Sequence, residues 1–187
     1  MTEVNGYRIR PSGNYTGAYL KGADLSHRNL RSCDLTFATL IDANLEYCCL
    51  SSTRFGQGRL AGSNFYKATG QTAFFNKADL SGALFRNTRM TYAIFKESNL
   101  TGVDFTGSFL YGSDFRQARL CSANLTGVEI WQCNFELANL CGAQIHDLDL
   151  KKCPMTGAKI TKKQALWLLM RDQITQSQLD SMQLVNG

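Results

Sequence analysis

AFFNKADLSGALFRNTRMTYAIFKESNLTGVDF, residues 73–105, holds a large apolar residue at every fifth place: Phe75, Leu80, Phe85, Met90, Phe95, Leu100 and Phe105. Two places before each stands a second column, Ala73, Ala78, Ala83, Thr88, Ala93, Ser98 and Val103, of which all but the last are small. Followed outward, the beat runs from Tyr15 to Ile160 without a single-residue insertion, and only Gly70 breaks the large column. The small column departs from Gly, Ala, Ser, Thr or Cys only at Arg28, Val103, Val128 and Leu148. A repeat this regular dictates architecture before any motif is considered.

Five fits neither regular secondary structure. On a helix it advances about 500°, which smears the large residues around the cylinder. On a straight strand it would send Leu20 and Leu25 to opposite faces, because side chains alternate with period two. The pattern closes only if the chain turns a corner within each five and points its large and small columns at a common axis. Phenylalanines supply the number of corners. Phe55, Phe75, Phe95, Phe115 and Phe135 recur every twenty residues, and leucines hold the ladder through Leu20, Leu40 and Leu60 to Leu140. Four sides of five make a coil of twenty, so coils should stack as parallel strands and give a rod of about 36 Å over seven and a half coils.

These residues resemble the pentapeptide repeat family, whose unit is A(D/N)LXX: Ala23-Asp24-Leu25, Ala43-Asn44-Leu45, Ala78-Asp79-Leu80, Ala123-Asn124-Leu125 and Ala138-Asn139-Leu140. The resemblance covers about four fifths of the chain. It implies an all-β solenoid, a right-handed quadrilateral parallel β-helix, and no single activity.

The domain reading follows: residues 1–13 as an N-terminal cap, 14–162 as the β-helix, and 163–187 as a helical cap or dimerisation segment. Open solenoid ends need covering. Thr161 is the expected N-cap, and Ala165, Leu166, Leu169 and Ile174 are apolar at near-helical spacing. The start, MTEVNGYRIRPSG, lacks an apolar signal core, and the apolar run Ala165–Met170 is too short to span a bilayer. The expected location is the cytoplasm, with export open only to a dedicated secretion system. Cys33, Cys48, Cys133 and Cys153 fall in the small inward column, where cysteine acts as a slightly larger alanine. With no zinc spacing among the seven cysteines, neither a metal nor a cofactor is expected. Glycines 22, 62, 82, 102 and 142 sit at one corner and suit turns of positive φ, not a phosphate loop.

His146, Asp147 and Asp149 are the one cluster resembling acid–base equipment, and without a nucleophile they read as solvated surface, so no enzyme is expected. The outward aromatics are more telling. Phe109, Tyr111, Trp131 and Tyr92 should share one side in consecutive coils, with Phe74 and Ile94 around the next corner. That side is also the least regular inside. A rigid face of exposed aromatics points to a protein partner. The family includes acidic rods that mimic duplex DNA and occupy DNA gyrase. A net charge of +5 with mixed signs on every side departs from that pattern, and no sustained basic stripe marks a nucleic-acid binder. The function expected from sequence is therefore a rigid protein-binding scaffold, with a topoisomerase-protecting resistance protein as the alternative.

Overall fold

The computed structural model describes residues 3–186. A β-hairpin of β1 (Glu3–Val4) and β2 (Tyr7–Arg8) opens the chain, and a long coiled region of very short strands follows. Then come β3 (Lys159–Thr161), α1 (Lys162–Met170), α2 (Gln176–Ser181) and β4 (Gln183–Val185), the last parallel to β3. Parallel bridges join residues twenty apart, from Asn14–Asp34 to Asn139–Lys159. The large column is the core. Every central residue from Tyr15 to Ile160 is buried except Ile130.

The two columns pack differently. Phe55, Phe75, Phe95, Phe115 and Phe135 stack face to face, with ring centroids 4.9–5.1 Å apart. A second ladder, Phe65, Phe85 and Phe105, meets the first edge-on across the axis. Small-column hydroxyls and thiols stay satisfied by donating to backbone: Thr53 to Leu30 O at 2.7 Å, Ser113 to Met90 O at 2.7 Å and Cys133 to Leu110 O at 2.7 Å. Each reaches the carbonyl of a central residue in the preceding coil, so a buried polar atom costs little. Gly70, the one gap among the centres, is occupied from above. A Cβ there would collide with Met90 Sδ.

Corners explain the family's Asp and Asn. Where Asp or Asn stands before the centre, its side-chain oxygen accepts from the amide two residues on, as Asp34 does from Thr36 and Asn64 from Tyr66, at 3.0 and 2.9 Å. Asx turns of this kind begin those corners. Two residues past the centre, φ is positive at every corner from Ser12 to Gly142, including bulky Phe37, Tyr47, Tyr92 and Leu137. It lapses at Asp147 and Lys152 and returns at Gly157. The predicted corner glycines 22, 62, 82, 102 and 142 all have positive φ.

At the start, Tyr15 turns its ring beneath the hairpin. Its hydroxyl donates to Arg8 O and accepts from Arg10 N, both at 2.8 Å. The end differs from a simple helical segment: residues 163–187 contain two short helices and a strand, with Gly187, like Met1 and Thr2, outside the described residues. Thr161 is the N-cap of α1, as its position suggests. Gln164 closes the capping box and donates onward to Leu140 O and Ala143 O, each at 2.9 Å. Thr175 and Gln178 repeat this for α2 on Leu150 O and Cys153 O. The apolar spacing misleads at Leu166, which is 62% exposed. Ala165 and Ile174 are buried as their spacing suggests, and Leu168 faces the core in place of Leu166. No helix of the described residues is long and apolar enough to cross a membrane.

The seven cysteines are free. Burial pushes the Cys48 and Cys133 thiols up to about 12 and that of Cys153 up to about 11. Thiolate is the reactive form. Cys49, Cys121 and Cys141, which are only half-buried, should therefore react with a maleimide in the native state, and the inward column only after unfolding. Mild oxidation should also join Cys121 to Cys141, neighbours in one outward column, before Cys133 to Cys153. Mass-spectrometric mapping that found Cys133 labelled first would contradict the inward column.

Candidate functional site

The coil stack has one fault. Elsewhere a central amide donates to the next coil, as Leu110 N does to Glu129 O at 2.9 Å and Phe115 N to Asn134 O at 2.8 Å. Between the segments 127–132 and 146–151 the amides of Gly127, Ile130, Gln132 and Asp149 make no such bond among the described residues. The small column accounts for this. Val128 and Leu148, both oversized for it, stand twenty residues apart and are both buried. Val103 is also oversized but has Ala83 and Ala123 as its column neighbours, and its carbonyl still accepts from Asn124 N at 2.8 Å. Two large residues in register wedge the coils, and Ile130 is left partly uncovered.

Into this fault opens a cleft of about 450 Å³ lined by Arg89, Thr91, Phe109, Tyr111, Val128, Glu129, Ile130, Trp131, Asp147 and Asp149. The walls are aromatic. Tyr111 and Trp131 meet edge-on at 5.7 Å, and Tyr111 donates from its hydroxyl to Gln132 Oε1 at 2.9 Å. The Arg89 guanidinium lies 4.7 Å from the Phe109 ring centroid. Trp131 is 54% exposed. Replacing Val128 and Leu148 together by alanine should let the coils close. Amide exchange at Ile130 and Gln132 should then slow toward the rate at Leu110, and unchanged exchange would mean that another feature holds the fault open.

Of the six aromatic and aliphatic residues expected on this surface, Phe109, Tyr111 and Trp131 line the cleft. Tyr92 stands at its border, edge-on to Tyr111 at 5.2 Å and lying over Gly112, where a Cβ would meet its ring. The neighbouring Tyr111 phenol lifts the pKa of Tyr92. Phe74 and Ile94 pair with each other on the adjacent side, and Phe74 lines a separate groove of about 240 Å³ with Arg54 and Asn76. The acid–base cluster is also divided. Asp147 and Asp149 face the cleft, whereas His146 packs edge-on against Trp167 at 4.8 Å in another depression.

Arg89, Glu129 and Ile130 also line the cleft and lie outside the outward-aromatic pattern; the paired Val128 and Leu148 exceptions are their sequence signal. A second aromatic corner was not expected from the sequence. His27 stacks on Tyr47 at 4.8 Å, Tyr66 meets Tyr47 edge-on, and Lys67 lies 5.7 and 5.1 Å from the two tyrosine rings. Tyr47 stays 43% exposed there, with no cleft beside it comparable to the one at Trp131 among the described residues.

Comparison with known proteins finds other pentapeptide repeat proteins. A pentapeptide repeat protein involved in heterocyst differentiation regulation, HetL from the cyanobacterium Nostoc sp. strain PCC 7120, is 25% identical, with 81% of this chain and 78% of that one covered and a TM-score of 0.48. Trypsin-treated QnrB1, a plasmid-mediated fluoroquinolone resistance protein, is 22% identical over 88% of each chain, with a TM-score of 0.40. A pentapeptide repeat protein from the cyanobacterium Cyanothece 51142 is 18% identical, covering 66% of this chain and 88% of its own, with a TM-score of 0.44. No curated protein sequence matched. The family model "Pentapeptide repeats" matches in eight copies, over residues 18–57, 48–87, 78–117, 98–130 and 118–157. With its twenty-residue register and stacked inward columns, the chain belongs to the pentapeptide repeat family.

Proposed function

We propose that the protein is a rigid, non-catalytic scaffold that binds a protein partner through its aromatic side. One observation carries the reading: exposed Trp131, edge-on to Tyr111, borders a cleft that uncovers the core residue Ile130. Aromatic anchors beside a desolvated pocket are the usual centre of a protein interface. The preceding coil still holds them through rungs such as Gly112 N to Trp131 O at 2.8 Å, which lowers the ordering cost of binding. In this reading residues 1–13 cap the first coil, 14–162 form the β-helix of seven and a half coils, and 163–187 cover its end. A dimer in solution that Leu166→Asp disperses would make that last segment an interface instead. The proposed location is the cytoplasm.

The test is capture from native lysate, comparing the wild type with Trp131→Ala. A partner retained equally by both would remove the aromatic side from consideration. A gyrase supercoiling assay with a quinolone separates the topoisomerase alternative, because a protector must change the drug's inhibition.

A further inference from the structure

We propose that the cleft takes the guanidinium of an arginine carried on an extended segment of the partner. This deepens the protein-binding reading above and rests on it. The cleft's charge runs against that of the molecule. In a chain of net charge +5 it gathers Glu129, Asp147 and Asp149 around the single cation Arg89. None of the three carboxylates has an ion pair among the described residues, and Arg89 is laid on the Phe109 ring. Two further cations of the C-terminal region are engaged elsewhere. Lys151 lies 2.5 Å from Asp172, and Arg171 stacks 4.3 Å from the Trp167 ring centroid.

The walls select among cations. Tyr111 and Trp131 offer π surface beside the carboxylates. A planar guanidinium can stack on a ring while its edge donates two hydrogen bonds to a carboxylate, whereas an ammonium is a compact, strongly hydrated point charge. Backbone adds the extended segment. The amides of Ile130 and Gln132, unpaired among the described residues, are donors of the kind a strand-like peptide satisfies with its carbonyls. The volume of about 450 Å³ exceeds one side chain and leaves room for flanking residues.

The proposal is tested on the full chain with a fluorescein-labelled Ser-Gly-Arg-Gly-Ser peptide and its citrulline and lysine counterparts. Binding is read by anisotropy and by the two tryptophan indole N–H resonances. The arginine peptide should bind and shift Trp131 but not Trp167, and the citrulline peptide should bind about ten-fold more weakly. Asp147→Asn/Asp149→Asn should lose about ten-fold, with an unchanged circular dichroism spectrum. Should that variant fail to fold, Glu129→Gln, at an exposed position, replaces it and should lose affinity in the same direction. Equal binding of the citrulline peptide, tighter binding of the lysine peptide, undiminished binding by the carboxylate variant, or no binding at all would each overturn the proposal. Lysate capture distinguishes the two levels. A partner lost with Trp131→Ala but kept by Asp147→Asn/Asp149→Asn overturns the arginine and leaves the aromatic interface standing. A partner kept by Trp131→Ala overturns the interface itself.

Discussion

Phe95→Ala should destabilise the protein by about 3–5 kcal/mol, the range for large aromatic truncations in cores. Phe95 is fully buried and stacked at 4.9 Å between Phe75 and Phe115, and it meets Phe85 and Phe105 edge-on at 5.9 and 5.7 Å. Its removal strips four rings of a neighbour at once, in a tube whose backbone is pinned by the ladder and cannot collapse inward. Asn99→Ala, an outward residue that donates to Asp79 Oδ1 at 2.9 Å, should cost far less. Chemical denaturation of both variants gives the comparison, and similar losses would mean that the ladder, not the core, sets stability.

Tyr111→Ala and Trp131→Ala should each weaken partner binding by about 2 kcal/mol or more, about thirty-fold, while leaving the unfolding midpoint nearly unchanged. The asymmetry follows from position. Both side chains line the cleft, and Trp131, 54% exposed, meets the Tyr111 ring edge-on. Lys21→Glu, on the opposite side of the coil, should alter only the salt dependence of association. Titration calorimetry against the captured partner measures all three. Normal binding by both aromatic variants, with loss on Lys21→Glu, would place the interface on the wrong side of the rod.

The fold was legible because its rule is local and repeated. Leu80 or Phe95 can be assigned inward from its place in the five, and the twenty-residue phenylalanine spacing gives the partner in the next coil. Irregularities were harder. Gly70 reads as a defect until Met90 is seen filling it. Leu166 looks like core because helical spacing does not say which face a nine-residue helix turns inward. On the site, Tyr111 and Trp131 were visible as outward aromatics, but Ile130 sits in the large column and reads as buried. Only the stacking of Val128 beneath Leu148 reveals that the coils part there, and that effect belongs to two coils together.

The same fault bears on how the rod comes apart. A solenoid holds through contacts between adjacent turns, so its stability is a series of junctions and not one shared reservoir. Between 127–132 and 146–151 one junction has lost rungs that its neighbours keep. Gln164 ties α1 to the carbonyls of Leu140 and Ala143, ahead of the loosened segment, and Gln178 ties α2 to those of Leu150 and Cys153, within and after it. The other sides of that junction keep their rungs, among them Phe135 N to Pro154 O and Leu140 N to Lys159 O, both at 2.8 Å, so the last coil is loosened along one flank only, and that flank should open before the phenylalanine-stacked body does. An occupant of the cleft would span that flank and should slow its opening. In the exchange experiment on the Val128→Ala/Leu148→Ala chain, that flank should no longer open first.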